Sequence, residues 1–230
     1  MAKHIGIVGC SAEGAALCYR TICAEAPMMM GEHRHPEITM HTHPLADYMV
    51  HILKGDWEKV ASIMLSSAGK LAGAGADFAI CPDNTIHEAF ESVRARSLIP
   101  WLHIAEAVAE EAKRRGFKRL AVLGTKYLMT GPVYPRVLDR YGISSEIPDA
   151  PVREKIDKII FKELVNGIFQ EESRLFFNQV IDTMKQSGCD AAVLGCTEIP
   201  LIVDPNDAPL PTLDSTRLLA RAALRKALEA

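Results

Sequence analysis

The chain reads as an α/β protein made of two similar α/β domains, with parallel sheets related by pseudo-twofold symmetry and the active site expected between them. Three observations predict this. Short apolar runs alternate with helical patterns along the whole chain, as in sheets covered by helices. The runs are continuously apolar and rich in β-branched residues, which suits strands buried on both faces. Sequence blocks also recur, in order, in the two halves.

The pattern predicts strands at 4–9, 37–42, 77–81, 119–123, 144–147 and 190–194. Helices are expected at 12–25, 44–53, 56–74, 86–92, 102–115, 131–141, 151–165, 171–187 and 214–229. Gly116, after Lys113-Arg114-Arg115, and Gly188, after Lys185, mark helix ends. Met28-Met29-Met30 falls in a loop, as gap-filling or lid contact. Glu106, Glu110 and Lys113-Arg114-Arg115 read as a solvated helix face.

Gly75-Ala-Asp-Phe-Ala-Ile-Cys-Pro-Asp83-Asn-Thr85 aligns without gaps to Gly188-Cys-Asp-Ala-Ala-Val-Leu-Gly-Cys196-Thr-Glu198. Ile5-Gly-Ile-Val-Gly-Cys10-Ser11 matches Leu120-Ala-Val-Leu-Gly-Thr125-Lys126. Ile99-Pro-Trp-Leu-His103-Ile matches Leu210-Pro-Thr-Leu-Asp214-Ser. Three blocks in register argue for two homologous halves. The expected domains are 1–100 plus 210–230, and 101–209, with the last helix packing back on the first half.

A chain of 230 residues, 48% hydrophobic and 24% charged, has an ordinary globular composition. Its formal charge of -3 offers no footprint for nucleic acid. No apolar run approaches the ~18 residues of a membrane span, and the start shows no signal-peptide layout. The six cysteines form no compact framework, so reduced thiols in a cytoplasmic protein are expected.

Parallel sheets bind ligands beyond the carboxyl ends of their strands. Cys10-Ser11, Asp83-Asn84-Thr85, Thr125 and Cys196-Thr197-Glu198 all follow expected strand ends, and Thr42-His43 lies near another. The repeat places a carboxylate, Asp83, opposite a thiol, Cys196, in the alignment. Inverting a carbon acid needs a base on one face, a proton donor on the other, and donors that hold the enolate-like charge. A thiol with a reference pKa near ~8.5 suits one wall, and a carboxylate near ~3.9 is ionised but weakly basic. Asn84, Thr85 and Thr197 add polar donors at helix starts, where free N–H groups attract a carboxylate. N-capping is the bland alternative for each of them.

Cys81 aligns with the apolar Leu194 and reads as core; Cys18, Cys23 and Cys189 read as packing. His33, His35, His41 and His43 could in principle hold zinc, but a loop and strand near the pocket explain them, and no metal is expected. Gly73-Ala-Gly75 precedes a strand, so it is not a phosphate loop.

With these residues the chain resembles the aspartate/glutamate racemase superfamily, cofactor-independent amino acid racemases, and within it the aspartate racemase branch. The resemblance rests on Asp83-Asn84-Thr85, where the family has Cys-Asn-Thr, and on Gly195-Cys196-Thr197-Glu198-Ile-Pro. It is extended by Gly124-Thr125, Ile160-Phe-Lys-Glu-Leu-Val-Asn-Gly167 and Leu210-Pro-Thr-Leu-Asp214-Ser-Thr216. It implies proton transfer at the α-carbon by Asp83 and Cys196. Cys10, Ser11, His43, Asn84, Thr85, Thr125, Asn166, Thr197 and Glu198 are the candidate substrate contacts. It also implies no pyridoxal phosphate and a homodimer. Three departures stand out. Asp83 replaces the usual first cysteine, Asn166 stands where dicarboxylate racemases commonly carry lysine, and the first loop is Gly9-Cys10-Ser11-Ala12-Glu13-Gly14. A decarboxylase of a malonate-type acid, with Cys196 as sole proton donor, and a non-catalytic amino acid sensor are the competing readings.

Overall fold

The structure, a computed structural model, describes residues 2–229. In chain order its elements are β1 (Ile5–Gly9), α1 (Ala12–Glu25), α2 (Pro27–Met30), β2 (Ile38–Thr42), α3 (Leu45–Ile52), α4 (Trp57–Gly73), β3 (Phe78–Ile80), α5 (Phe90–Arg96), α6 (Ile104–Arg115), β4 (Arg119–Leu123), α7 (Lys126–Thr130), α8 (Val133–Arg140), β5 (Ser144–Glu146), α9 (Ala150–Lys162), α10 (Glu171–Gln186), β6 (Ala191–Leu194), β7 (Thr212–Asp214) and α11 (Ser215–Leu228). Turns of 3-10 helix lie at Thr85–Ala89, Leu164–Asn166 and Ile199–Leu201.

The chain divides into two units. One holds the residues up to Ala107 together with those from Thr216 onward; the other is Val108–Ser215. The first carries a parallel sheet of order β2-β1-β3. The second carries a parallel sheet of order β5-β4-β6-β7. The inner strands β1 and β6 are buried throughout, because helices cover both faces. The edge strands β2 (Ile-Thr-Met-His-Thr) and β5 (Ser-Ser-Glu) are partly exposed and carry the polar residues.

In the first unit the core joins Ile5 and Ile7 of β1 and Phe78 and Ile80 of β3 to Cys18 and Ile22 of α1. The stripe Leu219, Ala220, Ala223 and Ala227 of α11 completes it, at the spacing of one helix face. Arg221 on that helix forks onto Glu25 at 2.8–3.1 Å. In the second unit Ala121, Leu123, Ala192 and Leu194 pack against Ile156, Ile159 and Ile160 of α9 and Phe177 and Ile181 of α10.

The repeated sequence is repeated local structure. Gly75 and Gly188 both leave their helices with positive φ, +90° and +92°, where a side chain would be strained. Two residues later, Asp77 Oδ2 accepts from the His4 N–H at 2.6 Å, and Asp190 Oδ2 accepts from the Lys118 N–H at 2.6 Å. The Ala79 N–H donates to Pro100 O at 2.8 Å; its counterpart Ala192 donates to Pro211 O at 2.9 Å.

Four local expectations are corrected. Residues 212–214 form a strand, β7, paired with β6; three residues are too few for a periodic signal, and pairing with a buried neighbour decides them. The counterpart in the first unit is an isolated bridge, Ala79 to Trp101. Met28-Met29-Met30 is a helical turn, with Pro27 pre-setting its first residue. The expected helix 131–141 is α8, starting only after Gly131-Pro132, and a short helix that was not expected, α7, precedes it at Lys126–Thr130. The expected helix 86–92 is a 3-10 turn running into α5. Among the described residues no helix is long and apolar enough to cross a membrane.

Candidate active site

Parallel pairing brings strand ends together. In the first unit Gly9 is the register partner of Thr42, and Ile7 pairs with Ile80. The segments that follow β1, β2 and β3 therefore leave the same edge of the sheet. They carry Cys10-Ser11, His43 and Asp83-Asn84-Thr85. Gly9 is needed there, because an added Cβ would come within 2.3 Å of Thr42 Cγ2. Ser11 caps α1, its Oγ accepting from the Gly14 N–H at 3.2 Å. His43 Nε2 meets Ser66 Oγ at 3.2 Å.

Asp83 is half-buried and opens the 3-10 turn. Its Oδ1 accepts from the Ile86 N–H at 3.3 Å. Asn84, the next residue, is buried, and so is Cys10 after β1. Cys81 is fully buried, and burial followed by the charge of Asp83 pushes its thiol well up from the ordinary range. It is a core residue.

In the second unit Leu123 pairs with Leu194, and Leu194 with Asp214. Thr125 and Cys196-Thr197-Glu198 leave that edge. Gly124 and Gly195 make the exit possible. The Gly195 N–H donates to Leu123 O at 2.7 Å, and a Cβ on Gly195 would lie 2.8 Å from that oxygen and 2.6 Å from Leu128 Cδ2. Thr125 caps α7 through its Oγ1, which accepts from the Leu128 N–H at 3.2 Å. Cys196 is half-buried, and its thiol donates to Glu198 Oε2 at 3.0 Å. Glu198 itself is 2% exposed. A thiol touching a buried carboxylate can lose its proton to it and gain it back, which is what an acid–base group requires.

Asn166 is exposed at the end of α9, and its Nδ2 donates to Phe161 O at 3.2 Å and Lys162 O at 3.3 Å. There it caps the last carbonyls of its own helix.

Two residues at the first edge escaped the sequence reading. His87 is buried, with Nδ1 donating to Asp83 O at 2.6 Å and Nε2 accepting from the Ile104 N–H at 3.3 Å. It ties the Asp83 turn to the start of α6. Burial pulls its pKa down to about 4 against the pull of the Asp83 carbonyl, so the ring is neutral. Its place four residues after Asp83 was the available signal. Tyr48 of α3 is fully buried, and among the described residues no partner meets hydrogen-bond geometry at its hydroxyl. Burial, then Cys81, Cys10 and Asp83, push its ionisation far up, while the Ser67 hydroxyl beside it opposes them. In sequence Tyr48 is one apolar helix position among several.

The histidine pairs are engaged with neighbours. His41 Nε2 meets Lys70 Nζ at 2.8 Å and His41 Nδ1 meets Ser67 Oγ at 2.9 Å. Among the described residues no group of three or more His, Cys, Asp or Glu is arranged to hold a metal ion.

Residues 5–223 match the model of the Asp/Glu/Hydantoin racemase family. The chain is 24% identical over 177 residues to a broad specificity amino-acid racemase of Bacillus subtilis (strain 168), covering 74% of this chain and 73% of that protein. Among solved structures it is similar to a putative Asp/Glu racemase from Yersinia pestis, with 33% identity, a TM-score of 0.90, and 99% and 100% of the two chains covered. An aspartate racemase homologue from Pyrococcus horikoshii OT3 matches with 28% identity and a TM-score of 0.86, both chains covered in full.

Proposed function

The chain belongs to the Asp/Glu/Hydantoin racemase family, a family of isomerases, and we propose that it inverts the α-carbon of an amino acid without a cofactor. In this reading Asp83 exchanges the α-proton on one face and Cys196 on the other. The observation that carries it is the 3.0 Å contact between the Cys196 thiol and the buried Glu198 carboxylate. Glu198 takes the thiol proton, and the thiolate removes the α-proton as an S–H bond forms. The carboxyl proton of Asp83 then passes to the opposite face, leaving Asp83 ionised. The reverse reaction starts with Asp83 as base and Cys196 as acid. Asn84, Thr85, Thr125, Thr197 and the N–H groups at the starts of their helical turns hold the substrate carboxylate as charge builds on the α-carbon.

The substrate class we infer is an amino acid with an uncharged side chain. Asn166 supplies no cation for a second carboxylate, and its amide is occupied by carbonyls of its own helix. The similarity to a broad specificity amino-acid racemase supports the same direction. The test is α-proton exchange in D2O, followed by NMR with both enantiomers of the twenty amino acids. Loss of the α-proton signal together with appearance of the opposite enantiomer is expected for at least one. No exchange with any of them overturns the reading.

A further inference from the structure

We propose that Asp157 of α9 is a positioning residue for the substrate carboxylate: it holds the first amide of α7 and so sets where Thr125 stands relative to Cys196. The proposal rests on the reading of Thr125 as a substrate contact.

α7 needs a tie from outside itself. It has five residues, Lys126–Thr130, and ends at Gly131; a helix this short does not hold itself together in water. Its first N–H groups have no acceptor within the helix. Thr125 Oγ1 takes the Leu128 N–H at 3.2 Å. Asp157 Oδ1 takes the Lys126 N–H at 2.9 Å, from a helix 31 residues further along the chain. That bond is partly buried, and a carboxylate accepting a backbone N–H makes one of the stronger hydrogen bonds. A second contact to α9, Lys126 Nζ to Glu154 Oε2 at 3.7 Å, is open to solvent and contributes little.

α9 is a firm anchor. Ile156, beside Asp157, and Ile160 pack in the core with Leu123 of β4 and Leu194 of β6. Aspartate is among the poorer residues inside a helix, because its short carboxylate competes for nearby backbone groups. At position 157 the carboxylate serves the start of another helix instead. The Cys196 turn has its own fastening, the Gly195 N–H on Leu123 O at 2.7 Å. The two turns leave the sheet side by side, since a Cβ on Gly124 would meet Gly195 O at 3.2 Å. With Leu123 holding one turn and Asp157 the other, the Thr125 hydroxyl and N–H are kept at a set distance from the thiol. Without Asp157 the start of α7 drifts, and the substrate carboxylate is held less well in the ground state as well as in the transition state.

Full-length Asp157→Ala, Asp157→Asn and Glu154→Ala test the tie with the amino acid that the wild type turns over. Asp157→Ala is expected to raise KM about tenfold, as the loss of one hydrogen bond gives, with kcat falling less. Asp157→Asn keeps an oxygen for the Lys126 N–H and recovers most of that loss. Glu154→Ala removes the ion pair alone and keeps the wild-type constants. Alkylation of Cys196 by iodoacetamide in Asp157→Ala stays within about twofold of the wild-type rate, because Leu123 holds that turn. Wild-type KM in Asp157→Ala, equal losses in the Ala and Asn variants, or a matching loss in Glu154→Ala overturns the proposal. So does a Cys196 alkylation rate that changes as much as KM, the sign of a unit loosened throughout. If the wild type exchanges no α-proton at all, the racemase reading fails separately, and the tie is then read on the Lys126 amide. Its hydrogen exchange, followed by nitrogen-15 NMR, should be at least ~10-fold faster in Asp157→Ala and not in Asp157→Asn; an unchanged rate in Asp157→Ala overturns the tie on its own.

Discussion

The Cys196 thiol lies 3.0 Å from Glu198 Oε2, and Glu198 is buried two residues further along the same loop. The spacing places an acid–base partner beside the sulfur without any long-range contact. A carboxylate there accepts the thiol proton.

Glu198→Gln removes that acceptor while keeping shape. Its kcat for α-proton exchange should fall about 10- to 100-fold, because the proton acceptor is gone. Alkylation of Cys196 by iodoacetamide at neutral pH should become slower, because the carboxylate that takes the thiol proton is gone. Faster alkylation would contradict Glu198 as the proton acceptor.

Asp83→Asn retains an oxygen for the Ile86 N–H but cannot take up a proton. Racemisation should fall at least ~100-fold, as far as in Cys196→Ser, because a two-base reaction needs both groups. A decarboxylase drawing on Cys196 alone would lose far less in Asp83→Asn than in Cys196→Ser. Comparing the two variants on one substrate separates the reactions.

His87 makes stability depend on pH. An unfolded histidine titrates near ~6.5, and the folded ring near about 4. Below pH 6.5 the unfolded chain takes the proton that the folded one refuses. The stability is therefore complete above about pH 6.5 and is lost as pH falls toward 4, by roughly 3 kcal/mol over the window. Urea unfolding at pH 7, 5.5 and 4.5 should show this decline in the wild type and a smaller one in His87→Phe.

Gly195→Ala places a methyl 2.8 Å from a backbone oxygen and 2.6 Å from Leu128 Cδ2. The oxygen belongs to β4 and cannot swing aside, so the strand exit must shift. A loss of about 1–3 kcal/mol in urea unfolding is expected, with kcat falling further than stability because Cys196 is the next residue. A neutral result would show that β4 and β6 separate freely.

Asp77→Ala and Asp190→Ala test the repeat. Each removes a carboxylate that accepts a backbone N–H at 2.6 Å at the start of a sheet. Each should cost about 1–2 kcal/mol in denaturant unfolding, with Asp190 less because its bonds are exposed. A large loss in one and none in the other would mean that the repeated residues have diverged in role.

The amino-acid sequence by itself determined the alternation of elements, the internal repeat and which polar residues follow which strand. These are properties of short segments: a buried parallel strand is a run of apolar residues, and Gly75 or Gly188 with Asp77 or Asp190 punctuates it within a few positions. Tertiary structure decided the rest. β7 is a strand because β6 lies beside it, and Trp101 makes a single bridge at the matching place in the other unit. Tyr48 and His87 look like ordinary helix residues until packing removes them from water, and His87 turns its ring onto the Asp83 carbonyl. That the Asn166 amide lies on the carbonyls of its own helix was likewise decided by the fold and not by its place in the sequence. The physical reason is one of range. Backbone preference and periodicity act over a few residues, whereas burial of a polar atom depends on groups distant in sequence that close around it.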